Sequence, residues 1–218
     1  MIGEAFEYSE KYNTPVLFRP TTRVCHAYAS IDNCDSPSPK KYEGFVKDSK
    51  KWVIFPRLSF ANHIMIEKRN VEIGKDFSTY SANKAEGGNS EKAVVTSGIS
   101  YAYTKECLKD YPDVKLIKIA TAYPFPEDFV LSSLEGAKEV LCIEELSPFI
   151  EEQILKLAGK HGLQLRVSGK LDGKVQAGGE NSTDKIAAIL GDFLGKDFTA
   201  EGYDLSDAPA LPVRPPVL

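Results

Sequence analysis

The feature that most constrains the fold is a regular alternation of strand-like and helix-like segments in the second half of the chain. From about Glu91 onward, four short apolar runs, at 93–97, 116–120, 140–143 and 163–167, are each followed by a helical stretch. Strands connected through helices run parallel, and a parallel sheet buries both of its faces under helices. The sequence therefore predicts an α/β fold with a mostly parallel sheet and helices on both faces. Any ligand is expected at the carboxyl ends of the strands.

The helix after the third run carries the clearest end signals. Ser147 is in an N-cap position, Pro148 is predicted at the first helical position, and Gly162 is placed to end the helix. The apolar face of this helix consists of Ile150, Ile154, Leu157 and Ala158. A last helix, with its own apolar stripe, is predicted to end at Gly195.

The first 90 residues have a different character. A short strand is predicted at 15–19, residues 32–49 are rich in Pro, Ser and Lys as in an exposed connector, and 56–80 has the periodicity of one long helix. We predict that residues 1–31 end a preceding domain, 32–90 form a linker plus long helix, 91–200 form the α/β domain, and 201–218 are an extended linker. Because the chain starts in a helical stretch and stops in a Pro-rich one, we expect a piece of a longer protein.

Composition excludes several classes of function. The 31 acidic and 27 basic residues are mixed along the chain and give a net charge of −4, so nucleic acid is not an expected partner. No apolar run approaches the roughly 18 residues needed to cross a bilayer, so no membrane segment is expected. The cysteines, Cys25, Cys34, Cys107 and Cys142, are widely spaced. This spacing predicts reduced thiols in a cytoplasmic protein and no metal site.

The strand-to-helix turn at Gly98-Ile99-Ser100 could bind a phosphate through the N–H groups at the N-terminus of the helix. A dinucleotide site needs a second and a third glycine for close approach, and these are missing here. A tight βα turn is therefore the favoured interpretation.

Glu144 and Glu145 lie at the end of the third strand, where α/β proteins collect functional groups. Paired carboxylates can do acid–base chemistry when their environments separate their pKa values. Neighbouring residues on a strand point to opposite faces, however, so one of the two would face a given cleft. The alternative is a solvated or helix-capping pair.

The segment after the predicted N-terminal strand offers Thr22, Arg23 and His26 as candidates for orienting an anion or substrate, or for an interface. Cys25 lies beside His26, but sequence neighbours seldom meet as nucleophile and base, so a thiolate nucleophile is not favoured. The competing interpretation is a loop in which these residues occur together by chance, without a binding role.

Four stretches carry a resemblance to a known family: 15–26, 140–151, 94–98 and 211–218. In them the chain resembles the alpha subunit of indolepyruvate ferredoxin oxidoreductase, a thiamine diphosphate-dependent 2-oxoacid:ferredoxin oxidoreductase. The resemblance implies an internal fragment of that subunit. Its α/β domain would be similar to the C-terminal domain of transketolases, and it would lie between a cofactor-binding domain and a further C-terminal domain.

The resemblance also implies what the parent protein uses. Thiamine diphosphate, Mg²⁺ and iron–sulfur clusters would belong to the parent. Its partners would be the remaining domains of the alpha subunit, a beta subunit, ferredoxin and CoA, with a homodimer of this piece as a further expectation. Asp172-Gly173 is the nearest match to the Gly-Asp-Gly turn of a thiamine diphosphate site, and it lacks the rest of the pattern. We therefore expect this piece alone to be inactive and to bind none of these cofactors. A free-standing α/β binding or scaffolding module, for a protein partner or a nucleotide, is the alternative.

Overall fold

The computed structural model describes residues 2–20, 22–30 and 44–198. The chain divides into two compact units, Met1–Glu72 and Ile73–Leu218. Most of the predicted connector and the whole predicted C-terminal linker lie outside the described residues. The predicted domain boundaries, which concern the parent protein, stay predictions.

The first unit is helical in its described part. It contains α1 (Ile2–Tyr12), α2 (Thr22–Cys25), α3 (Ser49–Trp52) and most of α4 (Pro56–Ser78). Residues 15–20 form no strand, so the strand predicted at 15–19 is wrong. A β-branched, apolar run becomes a strand when a neighbouring strand pairs with it, and no described segment of this unit supplies one.

The second unit is built on a five-stranded sheet. The strands are β1 (Lys84–Glu86), β2 (Lys92–Ser97), β3 (Lys115–Ile119), β4 (Glu139–Ile143) and β5 (Arg166–Ser168). Their order across the sheet is β1-β3-β2-β4-β5. All pairs are parallel except β1 with β3, which is antiparallel. The predicted mostly parallel α/β fold is confirmed, whereas the short edge strand β1 has no predicted counterpart.

Four helices connect or follow the strands and cover both faces of the sheet. They are α5 (Gly98–Cys107), α6 (Glu127–Ser133), α7 (Phe149–His161) and α8 (Thr183–Leu194). Val95 and Cys142 on one face pack with residues of α6 and α7. Val94 and Leu141 on the other face pack with residues of α5 and α8. Because the central strands β2, β3 and β4 are buried on both sides, most of their alternating side chains are apolar in both directions.

The predicted long helix is observed as α4, and it continues through Gly74. The periodic positions of this helix include His63, Ile66, Ile73 and Phe77, and they become protected only near its C-terminal end, where Ile73 is buried and Phe77 is half-buried. His63 and Ile66 are exposed. Across the described residues, no helix combines the length and the apolar character needed to cross a membrane.

Candidate functional site

The strand order places the topological switch point of the sheet, where a crevice is expected, at the carboxyl ends of β2 and β4. β3 lies on one side of β2 and β4 lies on the other, so the chain reverses its direction of travel across the sheet between them. In open α/β sheets, ligands bind in such a crevice. Ser97, Gly98, Glu144 and Glu145 lie at or just beyond these two strand ends.

Glu144 is buried, with 4% of its surface exposed, and its carboxylate accepts hydrogen bonds from the first turn of α7. The backbone N–H groups of Ile150 and Glu151 donate to its two oxygens at 2.9 and 3.0 Å. Burial raises the pKa of Glu144, and these two hydrogen bonds offset part of that rise. Glu144 therefore occupies the helix N-terminus that an external anion would use.

This arrangement corrects the predicted helix start. The helix begins at Phe149, and Pro148 is the N-cap residue, without a side-chain capping bond. Ser147 does not cap the helix through its side chain, because Glu144 reaches the orphan N–H groups from the strand end. The predicted end at Gly162 is confirmed, with that residue in the left-handed conformation at φ 65°.

Glu145 points away from Glu144, as expected for neighbours at a strand end, and binds the loop that precedes α8. One of its carboxylate oxygens accepts a hydrogen bond from the Asn181 backbone N–H at 3.1 Å. The buried Asn181 side chain in turn donates to Ser100 Oγ at 2.9 Å. This chain of contacts ties the end of β4 to α5, so both glutamates serve the protein's own backbone.

Glu151, in the first turn of α7, forms a third internal anchor. Its side chain is 1% exposed, and its Oε2 accepts from the N–H groups of Lys170 and Leu171 at 2.8 and 3.1 Å. A Cβ on Gly169 would lie 2.6 Å from this oxygen, so the loop after β5 approaches Glu151 too closely for any side chain there. One sequence feature indicates that Glu151 faces the core: it is in helical register with the apolar Ile154 and Ala158.

Lys170 brings a cation to the same edge of the sheet. Its Nζ donates to the Gln176 carbonyl oxygen at 2.5 Å, and burial lowers the pKa of this amine, although the nearby glutamates oppose the change. A shallow depression of about 520 Å³ beside it is lined by Leu146, Ser147, Pro148, Lys170 and Ala177.

Asp172 does not fit the role of a Mg²⁺ ligand in a diphosphate site. Its Oδ1 accepts hydrogen bonds from the N–H groups of Gly169 and Lys174 at 3.0 and 3.2 Å. Burial alone would raise the pKa of Asp172, but these bonds and one from Ser168 hold it below its ordinary value. The carboxylate therefore closes its own loop, and the residues at this turn do not fit thiamine diphosphate with its metal ion.

The Gly98 turn has the geometry of a tight βα connection. Gly98 has φ 55° and begins α5, and Ser100, two residues later, is buried and bonded to Asn181. The contacts favour the tight-turn interpretation over a phosphate cradle.

The N-terminal candidates, Thr22, Arg23 and His26, lie in the first unit. Thr22 and Arg23 begin the short helix α2, and their side chains lie outside the described part of the structure. Cys25 ends that helix, and His26 follows it in a turn; both are exposed. The roles of Thr22, Arg23 and His26, like those of Glu144 and Glu145 in an assembled enzyme, stay predictions.

Comparison with known proteins gives a consistent set of relatives. The indolepyruvate oxidoreductase subunit IorA of Methanothermobacter thermautotrophicus is 33% identical over 221 residues, which cover 100% of this chain and 35% of that protein. The subunit of the same name from Thermococcus kodakarensis is 30% identical, with the same coverage. The one from Archaeoglobus fulgidus is 27% identical over 98% of this chain. The chain thus spans about a third of the length of the curated relatives it matches.

Two other comparisons add less. No protein-family profile matches the chain. Among solved structures, a 2-oxoglutarate:ferredoxin oxidoreductase from Magnetococcus marinus is similar with a TM-score of 0.45 and 14% identity, over 63% of this chain and 23% of that one. What the comparisons establish is similarity to the indolepyruvate oxidoreductase subunit IorA over the whole sequence of this chain.

Proposed function

We propose that the chain is a middle segment, without a cofactor site of its own, of the alpha subunit of an arylpyruvate (indolepyruvate) ferredoxin oxidoreductase. The parent enzyme would oxidatively decarboxylate 2-oxoacids to acyl-CoA. The observation that carries this proposal is the match to IorA subunits along the entire chain, at about a third of their length.

The contribution of this segment would be mechanical support of the neighbouring cofactor-binding domains. The second unit has a core on both faces of its sheet, and its carboxyl-edge loops are fixed by Glu144, Glu145 and Glu151. These carboxylates are satisfied by backbone N–H groups of the same unit, so they hold loops in place. A rigid body of this kind suits a brace between domains.

Thiamine diphosphate, Mg²⁺ and iron–sulfur clusters would be held elsewhere in the longer protein and its beta subunit, with ferredoxin and CoA as partners of the whole complex. Bound thiamine diphosphate would supply the carbanion stabilisation that decarboxylation of a 2-oxoacid requires. Asp172 is already engaged by Gly169 and Lys174, which supports this division of labour.

Calorimetry and a dye-reduction assay test the proposal together. The complete protein with its partner subunit should reduce a viologen dye when given indolepyruvate and CoA. The 218-residue chain alone should show no Mg²⁺-dependent binding of thiamine diphosphate. Micromolar binding by the chain alone would contradict the absence of a cofactor site, and an assembled complex unable to use any arylpyruvate would contradict the proposed activity.

A further inference from the structure

The exposed apolar side chains of the second unit are concentrated at one edge of its sheet. Tyr123, Leu146 and Leu171 are 72%, 53% and 55% exposed, and they lie in the loops that follow β3, β4 and β5. Phe149, which is 37% exposed, is the first residue of α7. Parallel strands place these loops at the same edge. We call these four residues the carboxyl rim; Leu155, the fifth exposed large apolar side chain among the described residues of the unit, lies along α7.

Charge is distributed unequally between the two ends of the sheet. Each of the four parallel strands begins with a charged residue, in order Lys92, Lys115, Glu139 and Arg166. At the opposite ends, the segments 97–100 and 120–126 contain no charged residue. The glutamates after β4 are turned toward backbone N–H groups of the unit itself. Lys170 and Asp172, which flank Leu171, are bonded to the Gln176 carbonyl oxygen and to backbone N–H groups of their own loop. The carboxyl rim is therefore an apolar border whose flanking charged side chains are bonded within the unit.

The loops of the carboxyl rim are also fixed in place. The Asn83 side chain accepts hydrogen bonds from the N–H groups of Ala120 and Thr121, at 2.7 and 3.3 Å, which anchors the loop that carries Tyr123. Leu146 has φ 62°, a conformation that a branched side chain seldom adopts unless the surroundings impose it. A fixed surface loses little conformational entropy when it is covered.

We propose that the carboxyl rim is a docking surface for an apolar face of another domain of the same, longer polypeptide. The inference rests on the proposed function, because only a longer polypeptide supplies that domain, and the relatives are about three times as long as this chain.

The area of the carboxyl rim favours this occupant over a second copy of the chain. Four partly exposed side chains of these types offer on the order of 400 Å² of apolar surface. A free-standing dimer needs about 800 Å² from each partner, whereas contacts between domains of one chain bury about 600–1,500 Å² in total. A covalent link raises the effective concentration of the second domain to the millimolar range, so a smaller surface suffices.

Thiol labelling of single cysteine variants in the complete polypeptide tests the docking surface. Leu146→Cys and Leu171→Cys should each react at least about tenfold more slowly than in the urea-unfolded protein, with peptide-resolved mass spectrometry separating them from the native cysteines. Leu155→Cys is the matched control, since Leu155 is 42% exposed on α7 and outside the carboxyl rim, and it should react nearly as fast as in the unfolded protein.

Less than tenfold protection at both rim positions would overturn the proposal. Protection that also appears in the 218-residue chain and grows with its concentration would assign the carboxyl rim to a second copy, which overturns it as well. The dye-reduction assay on the same samples keeps the two proposals separate, because an inactive complex contradicts the function while the labelling ratios still report on the docking surface.

Discussion

The two units of this chain use apolar residues in opposite ways. Among the described residues, eighteen exposed large apolar side chains lie before Ile73 and five lie after it. None of the described residues from 2 to 72 is buried, whereas the second unit has a continuous core on each face of its sheet. The first unit is as apolar in its sequence as many folded domains, yet the residues described in it do not enclose a core.

The difference shows that apolar residues stabilise a unit only when its helices and strands pack against one another and bury them. α1 is an amphipathic helix, and a helix of this length draws most of its stability from packing of its apolar face. In the second unit, parallel strands and crossover helices satisfy that requirement within the unit. The exposed apolar side chains of the first unit match the expectation of surface that other parts of a longer protein would cover.

Hydrogen exchange should give the largest contrast between the units. We expect amides of β2 and β4 to exchange through global unfolding and to be protected about a thousandfold or more, whereas amides of α1 and α2 exchange through local fraying within minutes. Peptide-resolved mass spectrometry measures both sets in one sample. Comparable protection in α1 and β4 would break the comparison, and gain of protection in α1 within the complete polypeptide would sharpen it.

A matched pair of isoleucine substitutions should give the next largest effect. Ile154 on α7 is 0% exposed and Ile64 on α4 is 43% exposed. Ile154→Ala should lower the free energy of unfolding by about 2–5 kcal/mol, because it removes buried methyl groups and leaves a cavity. Ile64→Ala should change it by about 0.5 kcal/mol or less in the chain by itself. Urea unfolding followed by circular dichroism measures both, and similar losses would show that α4 is packed more tightly than its exposure indicates.

The pH dependence of stability linked to Glu144 should give the smallest effect, and Glu144→Gln measures it on top of a pH-independent loss, since the amide has one accepting oxygen for the two N–H groups. Burial raises the pKa of Glu144 in the folded state, so the stability linked to its proton is present at low pH and is lost as the pH rises through that pKa. The neutral glutamine cannot titrate. The stability of the wild type relative to the variant should therefore increase as the pH falls from 7 toward 4.

Urea titrations of the two proteins at several pH values measure this difference. A difference that is constant with pH would show that Glu144 titrates as an ordinary exposed carboxyl. Glu152→Gln, one turn into the same helix segment, is the control for loss of charge near the start of α7.

Several local features could be predicted from residues alone because they depend on near neighbours. The apolar runs of β2, β3 and β4 and the glycine that ends α7 follow from patterns within about ten residues, and they are confirmed. Residues 163–167 have a strand-like pattern, but pairing with β4 shifts the observed strand to Arg166–Ser168. Strand β1 is too short to show a pattern, and it exists because β3 offers an open edge.

The candidate functional site likewise combines features that the sequence could predict with features that it could not. Sequence position could place Glu144 and Glu145 at a strand end and suggest that they face opposite ways. It could not show that Glu144 would replace Ser147 at the start of α7, because that depends on the path of the loop between them. Asn181 and Lys170 come from a later loop. No local sequence pattern indicates that Asn181 binds Ser100 or that Lys170 binds Glu151.

The sequence by itself determined the class of this protein, through alternating strand and helix signals and a match to IorA along the whole chain. The tertiary structure alone decided the strand order, the inward use of the three glutamates and the apolar carboxyl rim. The physical reason is the separation along the chain over which each kind of interaction acts. Periodicity and end signals are set by residues within a turn or two of one another, whereas burial and hydrogen-bond partnership depend on segments that only folding brings together.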